Sequence, residues 1–252
     1  MPTPTVINQY QYSAAINRRY WDQNYAYDNF RVQPVTSKVG GGAATGTAGD
    51  NNVLYTAFNA YEWNVIGTQT ILAPSLGTTG LNLVQDQTAS DGIELCVGQT
   101  ALCPSSFTIN SDAAFFFQVT MKVEDVSGVN PLIIGWRKAQ AFNATLSSYT
   151  DFASIGIVGT AGHIQLQTQL NGGGVTTTDT TQVAVDASVI QLKIKVSSTG
   201  VVTYEYNYQA PTVIAAFQFD SGDVVIPFIR MVEAADISTY VDLQTFEVGF
   251  QS

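Results

Sequence analysis

From residue 52 onward, apolar and polar positions follow each other in short, regular runs. Val, Ile, Thr, Tyr and Phe recur in these runs, which are bounded by Gly, Asp, Asn, Ser or Pro. This composition is typical of β-strands joined by turns. After residue 50, no run of a dozen residues has the 3.6-residue period of a helix. The pattern therefore predicts an all-β sandwich or barrel, and the lack of crossover helices excludes a parallel α/β sheet.

The clearest strand pair spans residues 189–196 and 201–208. In the first run, VIQLKIKV, apolar residues alternate with Gln and Lys, and the second run returns after a Ser-Ser-Thr-Gly turn. One apolar face and one polar face are expected of antiparallel strands that cover a core. By the same reasoning, further strands are predicted at residues 114–125, 132–138, 152–158, 163–170, 224–232 and 241–250.

The predicted strand at residues 114–125 needs an irregular register. Phe116, Val119, Met121 and Val123 are its expected inward residues. Because the side chains of a strand alternate with a period of two, this set requires a shift near Phe117.

The first fifty residues have a different composition. Aromatic residues crowd them, with Asn, Gln and Arg between and few aliphatic residues. Such a segment cannot build its own core, although a short helix is possible at residues 13–20. A Gly-rich stretch at residues 40–49 follows as a linker or long loop. We therefore predict an extended N-terminal arm with its linker at residues 1–50, and a β-sandwich domain at residues 51–252.

Composition and charge narrow the function classes. The chain has 252 residues, of which 45% are hydrophobic, so it can bury a core. Its net charge is −10, which argues against nucleic-acid binding because that work needs clustered Lys and Arg. No apolar run approaches the roughly 18 residues of a membrane span. The first residues carry no secretion signal, which predicts synthesis in a cytoplasm.

Motifs for catalysis are missing. The chain has no GxSxG, GxxxxGK[ST] or GxGxxG motif. It also lacks the Glu-x-Asp-x-x-Glu string of retaining sandwich glucanases, and the adjacent Glu124 and Asp125 point to opposite faces of a strand. His163 is the only histidine and is expected in solvent at the start of a strand. Glu62 beside Trp63 is interpreted as a solvent-facing acid next to an interior ring. We predict no catalytic residues and no cofactor.

Metal sites and a disulfide are weighed in the same way. One cysteine pair and a single histidine cannot complete a zinc site, so no metal is predicted. Acidic loops at residues 49–52 and 220–223 leave structural calcium open. Cys96 and Cys103 are separated by six residues, which permits either a disulfide or two buried thiols, the latter favoured in a reducing cell.

The arm is the strongest candidate for binding. Tyr, Trp and Arg are the residue types enriched at protein interfaces. Stacking on single-stranded nucleic acid is one alternative, and folding of the arm back onto the sandwich as a covering strand is another. The predicted partner-binding residues are Tyr10, Tyr12, Arg18, Arg19, Tyr20, Trp21, Tyr25, Tyr27 and Phe30.

Three stretches in the second half of the chain resemble one fold family. Residues 191–204 (QLKIKVSSTGVVTY) resemble the late hairpin of concanavalin-like jelly-roll sandwiches, and residues 225–229 and 243–250 are similar to that family's final strands. The resemblance implies an antiparallel jelly-roll β-sandwich. Domains that look like this, rich in Gly, Thr, Asn and Gln, recur among the virion structural proteins of tailed bacteriophages.

This resemblance implies a non-enzymatic protein that decorates and stabilises a phage capsid, as a cement protein on the virion surface. Its partner would be the major capsid protein, reached through the arm, and a homo-oligomer is expected, with a trimer favoured. The alternative is a carbohydrate-binding head fibre or receptor-binding module, with Trp63, Trp136 and Tyr149 exposed on a concave face. A sandwich hydrolase is the third possibility, and it requires two carboxylates about 5–10 Å apart in a cleft.

Overall fold

The computed structural model describes residues 26–30, 35–38, 52–55, 60–67, 74–83, 89–97, 106–159, 161–234 and 241–251. Within these ranges the chain forms antiparallel strands and two short 3-10 turns, at Val126–Gly128 and Leu146–Ser148. The strands are β1 (Ala26–Asp28), β2 (Val35–Lys38), β3 (Asn52–Tyr55), β4 (Ala60–Ile66), β5 (Ser75–Leu76), β6 (Leu81–Asn82), β7 (Gly92–Val97), β8 (Phe107–Thr108), β9 (Phe115–Val123), β10 (Val129–Lys138), β11 (Phe152–Ile157), β12 (His163–Gln169), β13 (Thr176–Val183), β14 (Ser188–Val196), β15 (Val202–Tyr206), β16 (Val224–Glu233) and β17 (Val241–Phe250).

The described strands form two sheets. A seven-stranded sheet has the order β15-β14-β9-β17-β6-β5, with β1 also paired to β17. A ten-stranded sheet has the order β13-β12-β11-β10-β16-β7-β4-β3-β2, with β8 also paired to β16. Both sheets contribute side chains to one shared core, as expected of a sandwich. In the ten-stranded sheet, β7 and β11 are buried at every position, so both of their faces are covered. The antiparallel β-sandwich predicted from the sequence is confirmed.

Aromatic side chains fill one part of this core. The Trp136 ring lies 4.8 Å from the Phe115 ring and 5.3 Å from the Phe107 ring, both edge-on. Trp63, on β4 of the same sheet, is also fully buried. Burial of such rings supplies much of the driving force for folding, at about 25 cal/mol per Å² of apolar surface.

The predicted late hairpin is confirmed as β14 and β15. Ile190, Leu192, Ile194 and Val196 are buried, as the alternation predicts. The last strand, β17, has the predicted bounds.

The prediction for β9 was wrong in its register. Burial alternates without interruption from Phe115 to Val123, so Phe117 faces the core and Phe116 faces outward. The Lys193 ammonium lies 4.7 Å from the centre of the Phe116 ring, and this contact covers the outward ring. The irregularity of this strand pair lies in β17 instead, between Leu243 and Thr245.

Two pieces of the predicted arm are strands of the sandwich. β1 pairs with β17, and β2 pairs with β3 across the predicted boundary at residue 50. The sandwich therefore begins before residue 51, as in the alternative in which part of the arm folds back. The predicted helix at residues 13–20 and the linker at residues 40–49 lie outside the described residues.

Candidate functional site

One edge of β17 is only partly paired. On its other side β17 pairs with β9 along its whole length. On this edge β6 covers residues 242–243 and β1 covers residues 246–248. Gln244 and Thr245 lie between these two short strands. The gap opens into a cleft of about 650 Å³, whose walls are residues 27, 29 and 30 on one side and residues 76–80 on the other.

A β-bulge sets the floor of the cleft. The pairing of β17 with β9 shifts between Leu243 and Thr245, so β17 carries one extra residue. Leu243 and Phe246 are buried, whereas Gln244 and Thr245 between them are partly exposed and line the cleft. Bulges re-aim side chains in this way. The signal is present in the sequence, because the apolar spacing in VDLQTFEV changes from two residues to three.

A turn after β1 forms the first wall. Strand alternation sends Tyr27 outward, where its side chain is 38% exposed, and buries Asp28. The Asp28 carboxylate accepts hydrogen bonds from the Phe30 amide at 2.9 Å and from the Tyr61 hydroxyl at 3.5 Å. Phe30 has a φ of 46°, which turns the chain so that its ring packs 6.0 Å from the Tyr61 ring. The buried Asp28 and Phe30 thus fix the position of Tyr27.

The loop between β5 and β6 forms the second wall. A Cβ atom on Gly80 would lie 2.1 Å from the Leu243 carbonyl oxygen, so only glycine permits this close approach. The carboxylate of Asp242 accepts hydrogen bonds from the Thr79 hydroxyl and from the Asn82 amide, the latter at 2.7 Å. These contacts hold residues 77–80 against β17.

A second polar group lies on the outer face of the ten-stranded sheet. Arg230 and Glu94 are neighbours across β16 and β7. One Glu94 oxygen accepts hydrogen bonds from Arg137 Nε at 3.2 Å and from the Tyr149 hydroxyl at 2.8 Å, and the other accepts from Arg230 Nη1 at 3.1 Å. The two arginines also donate to carbonyl oxygens of residues 140, 143 and 144. We call Glu94, Arg137, Tyr149 and Arg230 the buried ionic cluster.

Electrostatic interactions within the buried ionic cluster favour charged Arg137 and neutral Tyr149. Burial by itself would lower the pKa of Arg137, but its interactions with Glu94, Cys96 and Tyr149 together outweigh burial, and the pKa is raised. Burial, reinforced by Glu94, raises the pKa of Tyr149. Both oxygens of Glu94 accept hydrogen bonds and its side chain is fully buried. The cluster therefore anchors residues 139–151 to the sheet and offers no accessible acid or base.

Glu62 is also closed to solvent. Trp63 is an interior ring as expected, but Glu62 is buried, which corrects the expectation that it faces solvent. One of its oxygens accepts a hydrogen bond from the Asn64 amide at 3.1 Å. Burial raises the pKa of Glu62 above its ordinary value of 4.5. Glu62 and Glu94 lie on one face of neighbouring strands, yet neither lines a described cleft.

The predicted binding residues fall into three groups. Tyr27 lines the cleft. Phe30, predicted to bind a partner, is only 3% exposed, packs in the core and also lines the cleft. The remaining partner-binding residues lie outside the described residues, and they are Tyr10, Tyr12, Arg18, Arg19, Tyr20, Trp21 and Tyr25.

The aromatic residues predicted for a glycan face are not on the surface. Trp63, Trp136 and Tyr149 are all buried, the first two between the sheets and the third against Arg137. The prediction that these three residues are exposed on a concave face is therefore wrong. The residues that line the cleft instead, Gln244, Thr245 and the loop at 77–80, were not singled out from the sequence.

The other candidates occupy ordinary structural positions. His163 is partly exposed at the start of β12, as expected, with Nδ1 2.8 Å from an Asp179 oxygen. In the loop at 220–223, an Asp223 oxygen contacts Lys138 Nζ at 2.6 Å. Among the described residues, no group of three or more His, Cys, Asp and Glu side chains is arranged to hold a metal. Cys96 is buried, and Cys103 lies outside the described residues.

The described part of the chain contains no helix of the length and hydropathy that a membrane crossing requires.

Comparisons with known proteins identify the fold class. No family model and no curated protein sequence matches the chain. The potassium-bound carbohydrate recognition domain of Emp46p superposes with a TM-score of 0.52 at 7% identity, covering 75% of this chain and 89% of that one. At this identity the likeness shows the fold alone, which is a concanavalin-like jelly-roll sandwich.

Two further solved structures are more distant. A glycosyl hydrolase family protein from Mycobacterium fortuitum has a TM-score of 0.49 at 13% identity, covering 89% of this chain and 99% of that one. A structure described as a receptor binding domain has a TM-score of 0.43 at 8% identity and covers 77% of this chain. This chain spans 44% of the length of that one.

Proposed function

We propose that this chain is a non-catalytic, lectin-like module that binds carbohydrate in the cleft between β1 and the β5–β6 loop. One observation carries the proposal: Tyr27, which is 38% exposed, borders a cleft lined by uncharged residues that include Asn, Gln and Thr side chains. Sugars present C–H faces that pack on aromatic rings and hydroxyl groups that pair with amides and hydroxyls. The volume of about 650 Å³ lies within the usual range of small-ligand sites.

The walls of the cleft are held before any ligand arrives. Asp28 and Phe30 fix the Tyr27 side, and Asp242 with Gly80 fixes the opposite loop. A site that needs little ordering loses less affinity to conformational entropy. This preorganisation favours a binding site over an incidental gap between strands.

The fold likeness supports the same proposal. The Emp46p domain is described as a carbohydrate recognition domain, so this architecture accommodates glycan binding in that protein. Catalysis is not part of the proposal, because Glu94 is saturated by hydrogen bonds and Glu62 is buried. A glycosidase needs two carboxylates that reach the substrate.

A glycan array followed by titration calorimetry tests this function. Tyr27→Ala should weaken binding of the best glycan at least about tenfold, since it removes the stacking surface. Tyr208→Ala is the matched control, because Tyr208 is a 67% exposed tyrosine that does not line the cleft. A folded wild-type chain that binds no glycan, or equal binding by Tyr27→Ala, would contradict the proposal.

A protein-binding role, including capsid decoration, is the second candidate. Exposed apolar side chains in and around β13, β14 and β15 favour it, since β13 and β15 are edge strands of the two sheets as described. These residues are Val183, Val185, Val189 and Tyr208. The major capsid protein as partner, the trimer and the virion location belong to this candidate.

Truncation combined with electron microscopy tests the second candidate. A chain lacking residues 1–24 keeps β1 and should remain folded, whereas removal of residues 1–35 would also delete β1 and Phe30 from the sandwich. Loss of attachment to shells by the shorter truncation would support an arm-mediated role. Full attachment by the chain that lacks residues 1–24 would show that these residues are not needed for attachment.

A further inference from the structure

We propose that a second pocket binds alkylammonium ions, which are aliphatic chains that end in a positively charged amine. This pocket has a volume of about 470 Å³ and is lined by Asn110, Leu170, Thr199 and residues 216–221. We call it the end pocket. Its volume lies within the usual range of small-ligand sites. Residues 217 and 218 lie beside β15, at the opposite edge of the seven-stranded sheet from the cleft, so the proposal is independent of the glycan-binding function.

Backbone contacts between separate loops shape the end pocket. The Asn110 amide donates a hydrogen bond to the Ser198 carbonyl oxygen at 2.8 Å, and the Phe219 amide donates to the Gly200 carbonyl oxygen at 3.1 Å. Gly200 has a φ of 92°, and a Cβ atom there would lie 2.6 Å from the Phe219 carbonyl oxygen. The pocket is therefore formed before a ligand arrives, and a ligand loses little affinity to the ordering of loops.

One part of the lining is apolar. Leu170 is exposed and Phe217 is partly exposed, and both line the end pocket. The Phe217 ring packs edge-on against the Phe219 ring, with the ring centres 5.0 Å apart, and Phe219 is buried in the core. An aliphatic chain gains free energy by covering such a surface, and aromatic rings also attract cations.

A carboxylate stands beside this apolar surface. Among the described residues that line the end pocket, Asp220 is the only charged one, and it is exposed. Its Oδ2 atom accepts a hydrogen bond from Asn171 Nδ2 at 2.9 Å, and this neutral donor leaves the charge in place. In the described part of the chain, no Lys or Arg forms an ion pair with Asp220. The carboxylate is therefore available to a cationic ligand, for which charge-assisted hydrogen bonds are strong.

Two buried carboxylates behind Asp220 increase the negative potential. Lys138 Nζ lies 2.6 Å from an Asp223 oxygen and 3.5 Å from an Asp151 oxygen. The other Asp223 oxygen accepts a hydrogen bond from the Asp220 amide at 3.2 Å, and Asp151 accepts one from the Asn171 amide at 2.7 Å. Three carboxylates and one ammonium group leave this network negative, which favours cations over neutral ligands.

Two probes of the same shape test the proposal. The folded full-length chain is titrated with n-butylammonium and with 1-butanol, and the amide NMR signals are followed. We expect n-butylammonium to shift the signals of residues 199 and 216–221 and to bind at least about tenfold more tightly than 1-butanol at low salt. The preference should shrink at about 1 M salt, where screening is strong.

Two further probes distinguish the sources of such an ion. Nα-acetyl-lysine amide represents a lysine side chain of a partner protein, and cadaverine represents a free diamine. Tighter binding of the lysine derivative would assign the end pocket to a partner's lysine, and tighter binding of cadaverine would assign it to a free diamine. Either result supports the proposal.

Variants locate the charge that is responsible. Asp220→Asn keeps the shape of the side chain and should weaken n-butylammonium binding at least about tenfold. Glu124→Gln is the matched control, because it also removes one exposed negative charge. Glu124 follows the last residue of β9, whereas Phe115, at the other end of β9, pairs with Val196 just before the turn at 197–200. The control should therefore leave binding unchanged.

The outcomes are separate from those for the cleft. A preference for n-butylammonium that Asp220→Asn removes and Glu124→Gln retains supports the proposal. Equal binding of the two probes, equal losses in the two variants, or no binding at all overturns it. Tyr27→Ala should leave n-butylammonium binding unchanged, because Tyr27 does not line the end pocket.

Discussion

Two polar sites, one on each sheet, show how similar side chains serve different ends. The buried ionic cluster on the ten-stranded sheet combines Glu94 with two arginines and a tyrosine. The cleft on the seven-stranded sheet combines a tyrosine with neutral amides and hydroxyls. In the first site every oxygen of the central acid is bonded within the chain, and in the second the ring of Tyr27 reaches solvent.

The difference teaches that hydrogen-bond saturation and access separate a structural site from a binding site. In the cluster, charged side chains of the kind found in active sites form hydrogen bonds and ion pairs with one another. Neutral groups that look like ordinary turn residues form the open cleft. Each of the following predictions changes one side of this comparison.

The largest loss of folding stability is expected from Glu94→Gln. Removing this charge leaves Arg137 and Arg230 buried without their shared carboxylate, which typically costs about 3–5 kcal/mol. Urea unfolding should show this loss of stability. Glu124→Gln, in the surface pair with Lys122, is the control and should cost less than about 1 kcal/mol. Equal losses in the two variants would refute the structural role of the cluster.

Phe30→Ala and Tyr27→Ala should have opposite consequences. Phe30 is buried against Tyr61, so its truncation should cost about 3 kcal/mol of unfolding free energy. Tyr27 is partly exposed, so its truncation should cost less than about 1 kcal/mol while weakening glycan binding. Thermal melts and titration calorimetry on both variants check this pair. A large stability loss in Tyr27→Ala would show that its role is packing.

Gly80→Ala should deform the cleft. The new Cβ atom would lie 2.1 Å from the Leu243 carbonyl oxygen, so the loop at 77–80 must move away from β17. We expect a cost of about 1–3 kcal/mol and weaker glycan binding. Gly173→Ala is the control, because Gly173, like Gly80, has no positive φ, and a Cβ atom there would approach only the Leu170 carbonyl oxygen, at 3.1 Å. Unchanged binding in Gly80→Ala would show that the loop does not shape the site.

Glu62→Gln should change the free energy of unfolding least of all these variants, and the change should depend on pH. Burial raises the pKa of Glu62 in the folded chain above 4.5, so the folded state holds its proton more tightly than the unfolded state. Stability from this group is therefore lost as pH rises from 4.5 through the raised pKa. Glu62→Gln removes this loss, and the variant should gain stability relative to wild type between about pH 4 and pH 7. Urea unfolding at both pH values measures the gain, and a constant difference would contradict it.

Strand alternation made much of the fold predictable. The late hairpin and the bounds of β17 follow from the period of two, because a sheet with one buried face requires that alternation. The register of β9 was misjudged because three consecutive phenylalanines, at 115–117, hide which face is buried. Only the contact of Lys193 with Phe116 shows why an aromatic ring can face outward there.

The sequence by itself determined that this chain is an all-β sandwich without catalytic motifs, because side-chain periodicity and motif spacing are local properties. The tertiary structure decided which residues are available for binding. Tyr27, Gly80 and Gln244 meet at one cleft although more than 200 residues separate Tyr27 from Gln244 in the chain. Trp63, Trp136 and Tyr149, the obvious aromatic candidates, are buried. Burial and proximity depend on how distant strands pair, and local patterns do not contain that information.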